Sequence, residues 1–148
     1  MESNQIPTMA GSKYILLEFS PRREYQYIRT NLQRCLFAGY LPILAHVERY
    51  ICLEQDISLV EELVNIGVYI QFNTNSIVGN IRGKTKKFVR RLLHHNLVHF
   101  MATDAHNMSN RSPVINKSKE YIIKKYGKSY LDRLIIHNPK KVLNNEYI

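Results

Sequence analysis

The sequence predicts an α/β fold built around a parallel sheet. Four apolar runs recur along the chain of 148 residues, at 13–19, 40–46, 68–73 and 96–103. Segments in which apolar residues keep helical spacing separate these runs, so the chain consists of repeated β–α units. Successive β–α units need crossover connections, which make the strands parallel and place the helices on the faces of the sheet.

The composition is that of one globular domain. A chain of 148 residues has the length of about one domain, and 45% hydrophobic with 22% charged residues excludes a disordered protein. No apolar run approaches the roughly 18 residues of a membrane span, and the N-terminus lacks the order of a signal peptide. We therefore expect a cytoplasmic protein with no membrane insertion. Cys35 and Cys52 form no Cys-x-x-Cys pair and are interpreted as buried thiols or bystanders.

The formal net charge of +9 has two interpretations. A basic surface attracts nucleic acid, an anionic membrane leaflet or a phosphorylated partner. Alternatively, short basic pairs such as Lys86-Lys87 and Lys124-Lys125 lie on solvated helix faces. The sequence contains no RNA-binding aromatic signature, zinc-finger spacing or glycine-rich phosphate loop, so we predict no nucleic-acid partner. It does not indicate an oligomeric state.

The first apolar run, KYILLEF at 13–19, predicts a strand buried on both faces, because four apolar residues follow one another from Tyr14. Ser20-Pro21 then predicts the start of a helix, with Ser20 as N-cap and Pro21 in the first turn. Gly39 ends this helix. YLPILAH at 40–46 predicts the second strand.

A helix through Asp56 and Val64 leads to Gly67 and the third strand, VYIQFN at 68–73. The turn-rich NTNSIVGN and a basic helix over 84–95 precede the fourth strand, NLVHFMAT at 96–103. The rest of the chain predicts two helices broken at Gly127. Ser129 is the expected N-cap of the second, which Pro139 interrupts or ends.

Every predicted strand ends in polar side chains. In strand order these are Glu18, His46, Gln71 with Asn73, and Asp104 with His106. Catalytic groups gather at this carboxyl edge in parallel α/β folds. Singly, Glu18 is explained as a strand-end charge, His46 as a hydrogen-bonded histidine and Asp104 as an N-cap. Together, Glu18, His46, Asp104 and His106 form a mixed nitrogen and oxygen ligand set that suits Mn, Fe or Zn better than Ca or Mg.

The remaining histidines have no such position at a strand end, so we interpret them as surface or packing residues. They are His94, His95, His99 and His137.

Four blocks of the sequence resemble the bacterial protein-tyrosine phosphatases of the polymerase and histidinol phosphatase (PHP) superfamily, which are found with capsular and exopolysaccharide synthesis genes. The blocks are LLEF around Glu18, GYLPILAHVERY at 39–50, GVYIQFNTNSIVG at 67–79 and HFMATDAHN at 99–107. The resemblance implies a distorted (β/α)₇ barrel that holds two or three ions of Mn, or of similar metals such as Fe or Zn. About four parallel β–α units are present here. We therefore expect residues 1–148 to form a partial distorted (β/α) barrel, the C-terminal part of a single PHP-type phosphatase domain.

The same resemblance implies roles for the metal ligands. Glu18 bridges two metals, His46 binds one, and Asp104 and His106 complete the cluster. The implied chemistry is metal-dependent hydrolysis of a phosphomonoester. It needs no cysteine nucleophile, and the Cys-x₅-Arg pattern of thiol phosphatases does not occur in the chain.

Substrate contacts are implied in the same way. Arg49 and Arg111 bind the substrate phosphate, because the guanidinium group can donate two parallel hydrogen bonds to it. Alternatively, both arginines are ordinary salt-bridge residues. The implied substrate is protein phosphotyrosine, and the implied partner is the tyrosine-phosphorylated tail of a polysaccharide-regulating kinase.

The chain departs from the family pattern in one respect. Complete members begin with a strand that carries a His-x-His pair, whereas the first histidine here is His46. Four β–α units also make only about half of a barrel. The expected metal site is therefore incomplete and the expected activity impaired. The alternative is a non-catalytic remnant that binds a phosphotyrosine tail or a partner subunit without hydrolysing it.

Overall fold

The computed structural model describes residues 7–78, 82–103 and 112–148, with the backbone alone at 112–114. Four strands form one sheet in the order β1, β2, β3, β4, and every neighbouring pair is parallel. The strands are β1 Tyr14–Leu17, β2 Leu41–Leu44, β3 Tyr69–Asn73 and β4 Phe100–Ala102. This confirms the predicted α/β class and the parallel sheet.

Helices connect the strands and follow the last one. They are α1 Tyr25–Phe37, α2 Ile51–Gln55, α3 Ser58–Asn65, α4 Asn75–Val78, α5 Gly83–His94, α6 Ser112–Tyr126, α7 Lys128–Asp132 and α8 Asn138–Leu143. A 3₁₀ turn at Val47–Arg49 follows β2, and a π-helical turn at Arg133–His137 joins α7 to α8. None of the helices in the described ranges is long and apolar enough to cross a membrane.

The two faces of the sheet are covered differently. On one face, sheet residues such as Leu44 and Phe72 share a core with apolar residues of the helices, including Leu32 and Leu92. The opposite face carries a smaller cluster that the C-terminal segment covers. Its members are Tyr14, Ile43, Tyr69, Phe100 and Val142 of α8.

The expectation that the first strand is buried on both faces is wrong at Leu16, whose exposed fraction is 53%. The C-terminal segment reaches Tyr14, whose hydroxyl donates a 2.6 Å hydrogen bond to the carbonyl of Glu146. Two residues further along β1, Leu16 lies beside a cavity of about 710 Å³ that is lined mostly by apolar side chains. The second face of the sheet is therefore only partly covered within the described residues.

The predicted start of α1 is also wrong. The helix begins at Tyr25 with Glu24 as its N-cap, and no side chain caps it. The backbone amide of Arg23 donates to the Ser20 carbonyl at 3.0 Å, so Ser20 opens a turn instead. The carbonyl of Pro21 accepts from the Ile51 amide at 3.2 Å, which ties this turn to α2.

His99 is a packing residue, as the sequence predicts. Its Nδ1 accepts a 3.0 Å hydrogen bond from the Ile70 amide, and its ring packs edge-on against Tyr69. Burial lowers the pKa of His99 to about 4 from its ordinary value of 6.5. The folded protein therefore binds fewer protons than the unfolded chain between these two values.

We expect this histidine to make the folded state less stable in acid. Because its folded-state pKa is depressed, the free energy of unfolding should fall by about 2 kcal/mol between roughly pH 7.5 and pH 5 on account of this residue. His99→Gln should remove that part of the pH dependence, whereas His137→Gln, at an exposed position, should not. Urea unfolding curves of the three proteins at both pH values measure this. Parallel pH profiles for wild type and His99→Gln would contradict it.

Candidate active site

Three of the predicted site residues lie together at the carboxyl edge of the sheet. Leu17 and Leu44 pair at the ends of β1 and β2, so Glu18 and His46 follow at nearly the same level. His46 Nε2 lies 3.9 Å from Glu18 Oε2. Arg49 Nη1 lies 3.3 Å from Glu18 Oε1. Glu18 is thus the common neighbour of an imidazole and a guanidinium.

Asp104, His106 and Arg111 lie outside the described residues. β4 ends at Ala102, which pairs with Asn73 at the same edge of the sheet. Their positions in the site therefore remain predictions.

The backbone at His46 is in the left-handed region, with φ 54° and ψ 51°. For a residue other than glycine this conformation costs on the order of 1 kcal/mol, and such strain is concentrated at functional sites. His46 opens the turn at Val47–Arg49, in which the Arg49 amide donates to the His46 carbonyl at 2.9 Å. The tight turn places two candidate residues, His46 and Arg49, beside the same carboxylate.

Two polar side chains of β3, those of Gln71 and Asn73, contact His46. Gln71 Oε1 accepts a 2.9 Å hydrogen bond from the His46 backbone amide. Asn73 Oδ1 lies 2.8 Å from His46 Nδ1. Both β3 residues are buried. The sequence marks Gln71 and Asn73 as polar residues at a strand end but gives them no role; the structure places them against the candidate ligand.

Glu48 is a buried carboxylate that sequence reasoning missed. Its Oε1 accepts hydrogen bonds from the Asn73 amide at 2.9 Å and from Ser76 Oγ at 2.6 Å. Burial raises the pKa of Glu48, against the lowering effect of these hydrogen bonds. Its Oε2 has no hydrogen-bond partner within the described residues. Through these hydrogen bonds, Glu48 connects the turn after β2 to the end of β3 and to α4.

Tyr50 holds the segment that carries Glu18. Its hydroxyl oxygen accepts a 3.0 Å hydrogen bond from the Phe19 amide, one residue beyond Glu18. Burial raises the pKa of Tyr50 to about 12, so the phenol stays protonated at neutral pH. Nothing in the local sequence signals this contact, because it joins residues 31 positions apart.

Tyr50→Phe should therefore lower the free energy of unfolding by about 1–2 kcal/mol, because the partly buried Phe19 amide loses its acceptor. The matched control is Tyr27→Phe, at a tyrosine with an exposed fraction of 47%, which should change stability little. Urea unfolding at neutral pH measures both. Equal stabilities of the two variants would show that the Tyr50 hydroxyl does not hold this segment.

The Glu18–His46 pair fits a divalent metal ion. A carboxylate oxygen and an imidazole nitrogen bind such ions at about 2.0–2.2 Å, so two atoms 3.9 Å apart lie within reach of one ion. The Glu18 side chain is 56% exposed and the His46 side chain 12%, so the site is open on the glutamate side. No group of three or more His, Cys, Asp or Glu residues suited to a metal occurs in the part of the chain that the structure describes. The pair is thus a partial ligand set.

Neither cysteine has the character of a nucleophile. Cys35 and Cys52 are free thiols, and burial raises the pKa of both. A raised pKa disfavours the thiolate, which is the reactive form. This agrees with the absence of the thiol-phosphatase pattern from the sequence.

Fold and site together define a class: an α/β protein with a carboxylate, an imidazole and an arginine clustered at the carboxyl edge of a parallel sheet. A chain from the crystal structures of YwqE from Bacillus subtilis and CpsB from Streptococcus pneumoniae, described as unique metal-dependent tyrosine phosphatases, has this fold. The TM-score is 0.86 at 30% sequence identity, over 97% of the present chain and 58% of that chain. The protein belongs to the capsular polysaccharide synthesis family CpsB/CapC, whose profile matches residues 1–144.

Named relatives agree with this family. Tyrosine-protein phosphatase CpsB of Streptococcus agalactiae serotype V is 37% identical over 153 residues, which cover 100% of this chain and 63% of CpsB. Tyrosine-protein phosphatase YwqE of Bacillus subtilis is 30% identical over 148 residues, covering 100% of this chain and 58% of YwqE. The chain therefore spans roughly three fifths of the length of these relatives.

Proposed function

We propose that the chain is the C-terminal part of a single PHP-type domain, over residues 1–148, that hydrolyses protein phosphotyrosine in the regulation of capsular or exopolysaccharide synthesis. The observation that carries the proposal is the position of His46 Nε2 and Arg49 Nη1, both within 4 Å of the Glu18 carboxylate. This arrangement brings two candidate metal-binding atoms, Glu18 Oε2 and His46 Nε2, close to a candidate phosphate-binding group, the Arg49 guanidinium. The relatives named as tyrosine-protein phosphatases support the substrate class.

The metal ligands in this proposal are Glu18, His46, Asp104 and His106. They would hold Mn, or a similar ion such as Fe or Zn, at fewer positions than the two or three of a complete family site. When bound, such ions activate water and neutralise charge on phosphoryl oxygens. Asn73 and Gln71 hold His46 in place for this role.

Arg49 and Arg111 hold the phosphate of the substrate. Arg49 pairs with Glu18 and has a 43% exposed side chain, so part of this side chain reaches solvent beside the candidate metal ligands. A phosphate dianion accepts two parallel hydrogen bonds from the guanidinium fork and stabilises the charge on both groups. The phosphotyrosine would come from the tail of a polysaccharide-regulating kinase.

The partial barrel is supported by the uncovered face of the sheet. Leu16 is 53% exposed there, although parallel sheets are normally covered on both faces. The apolar cavity on that face extends to His46 and Gln71 at the site. In the proposed complete barrel, further strands would pair with an edge of this sheet and curve over this face, and they would bring the additional metal ligands.

One observation favours the alternative, a non-catalytic chain that binds a phosphotyrosine tail or a partner subunit. No two of the six histidines in the 148 residues are separated by a single residue, so the sequence contains no His-x-His pair. Without those ligands, the arginines can still bind phosphate while hydrolysis is slow or absent.

The test uses two proteins: the isolated chain, and a joined protein in which the unmatched N-terminal segment of Streptococcus agalactiae CpsB precedes it. With Mn²⁺, the joined protein should release phosphate from a phosphotyrosine peptide and stop when the metal is chelated. The isolated chain should do so weakly or not at all. A joined protein that folds, binds Mn²⁺ and the peptide, yet releases no phosphate, would favour the non-catalytic alternative.

A further inference from the structure

His46 lies in a set of hydrogen bonds whose members restrict one another. The His46 backbone amide is 2.9 Å from Gln71 Oε1. Gln71 Nε2 is 3.1 Å from Asn73 Oδ1 and 2.9 Å from the Phe72 carbonyl oxygen. Asn73 Oδ1 is in turn 2.8 Å from His46 Nδ1. Gln71 and Asn73 are only 5% and 4% exposed, so water does not readily replace these partners.

These hydrogen bonds fix the positions of the protons one after another. A backbone amide can only donate, so the oxygen of the Gln71 side chain must face His46. The NH₂ group of Gln71 then faces Asn73 and the Phe72 carbonyl, and it too can only donate. The oxygen of Asn73 must therefore face Gln71. That same oxygen contacts His46 Nδ1, and because an amide oxygen cannot donate, Nδ1 must carry a proton.

We infer that Gln71 and Asn73 are positioning residues that hold neutral His46 as its Nδ1–H tautomer, with the lone pair on Nε2 beside the Glu18 carboxylate. Free histidine favours the opposite tautomer, so the two amides reverse an intrinsic preference. The tautomer itself follows from the hydrogen bonds. Its use, the presentation of Nε2 to a divalent metal ion, rests on the proposed function, because metal ligation requires that the ligating nitrogen carry no proton.

Glu48 keeps this arrangement in place. Its Oε1 accepts from both the Asn73 amide and Ser76 Oγ, which fixes the backbone from which the Asn73 side chain extends. Glu48 lies two residues after His46, so the turn after β2 is bound to β3 on either side of Val47. This double attachment accounts for the left-handed backbone at His46, which neighbouring contacts must hold.

The test is nuclear magnetic resonance of the ¹⁵N-labelled chain without metal at about pH 8, above the ordinary pKa of histidine. Long-range ¹H–¹⁵N correlation distinguishes the protonated from the unprotonated ring nitrogen, and His46→Gln identifies the His46 signals. We expect Nδ1–H to exceed Nε2–H roughly tenfold, because the alternative leaves a buried acceptor unpaired. A wild-type spectrum with Nε2–H as the main form would overturn the inference.

Two nearly isosteric variants make opposite predictions. Asn73→Asp should retain Nδ1–H, because a carboxylate can only accept from His46 and Gln71. Gln71→Glu should shift His46 toward Nε2–H, because the new carboxylate cannot donate to Asn73 and releases its amide to turn. Retention of Nδ1–H in a folded Gln71→Glu variant would show that Gln71 does not control the His46 tautomer. The wild-type spectrum decides the tautomer even if a variant fails to fold, and none of these readouts depends on phosphatase activity.

Discussion

His46→Ala in the joined protein should lower the rate of phosphate release from a phosphotyrosine peptide by about 10³-fold. A metal ion contributes several kcal/mol to stabilisation of a phosphoryl-transfer transition state, and each 1.4 kcal/mol is a factor of ten. His46 supplies the only imidazole beside Glu18 within the described residues, so its loss should reduce bound metal together with turnover. The measurements are kcat/KM and the metal content of the purified variant.

The matched control is His137→Ala, because His137 is exposed on the π-helical turn, and the next residue, Asn138, donates to the His99 carbonyl before β4 begins. It should leave both quantities nearly unchanged. Full turnover with full metal content in His46→Ala would show that the imidazole is not a ligand.

Arg49→Ala should lower kcat/KM by about 10²-fold while the metal stays bound, because one preorganised donor to the transition-state charge is removed. Arg49→Lys should fall between wild type and the alanine variant, since an ammonium keeps the charge but loses the planar fork. Arg34→Ala, at an exposed position in the last turn of α1, is the control for loss of positive charge. The assay is peptide hydrolysis at saturating Mn²⁺.

The competing interpretation of Arg49 makes a different prediction. If it is only a salt-bridge partner of Glu18, Arg49→Ala should leave kcat/KM within the range of the Arg34→Ala control. Under this interpretation, the substitution displaces the Glu18 carboxylate and thereby weakens metal binding. A loss of metal without a separate loss of turnover per bound metal would favour that interpretation.

Local patterns predicted the strands well because each apolar run contributes buried side chains to the sheet, such as Tyr14, Leu44, Ile70 and Phe100. They failed at two helix starts. Ser20 was expected to cap a helix, but the Pro21 carbonyl contacts α2 and the chain turns first. Ser129 was likewise expected at an N-cap. α7 begins at Lys128, so Ser129 lies inside it, after the predicted break at Gly127.

Some residues of the candidate site could likewise be predicted from the sequence, and others could not. Glu18 and His46 were predictable because parallel topology brings strand ends to one edge, whatever the details of packing. Glu48 was not predictable, since its hydrogen bonds reach residues 25 and 28 positions away. The left-handed backbone at His46 has no sequence signal of its own, because it depends on Gln71 and Asn73 of the neighbouring strand.

Calorimetric titration with Mn²⁺ tests the central claim, that the carboxyl edge of this sheet holds a divalent metal ion. The isolated chain should bind weakly and below full stoichiometry, and the joined protein more tightly. In both, affinity should fall as pH drops through the histidine range, because the ligands must be deprotonated. His46→Ala should remove most of the binding. A folded joined protein that binds no Mn²⁺, or that binds it equally well without His46, would contradict the account.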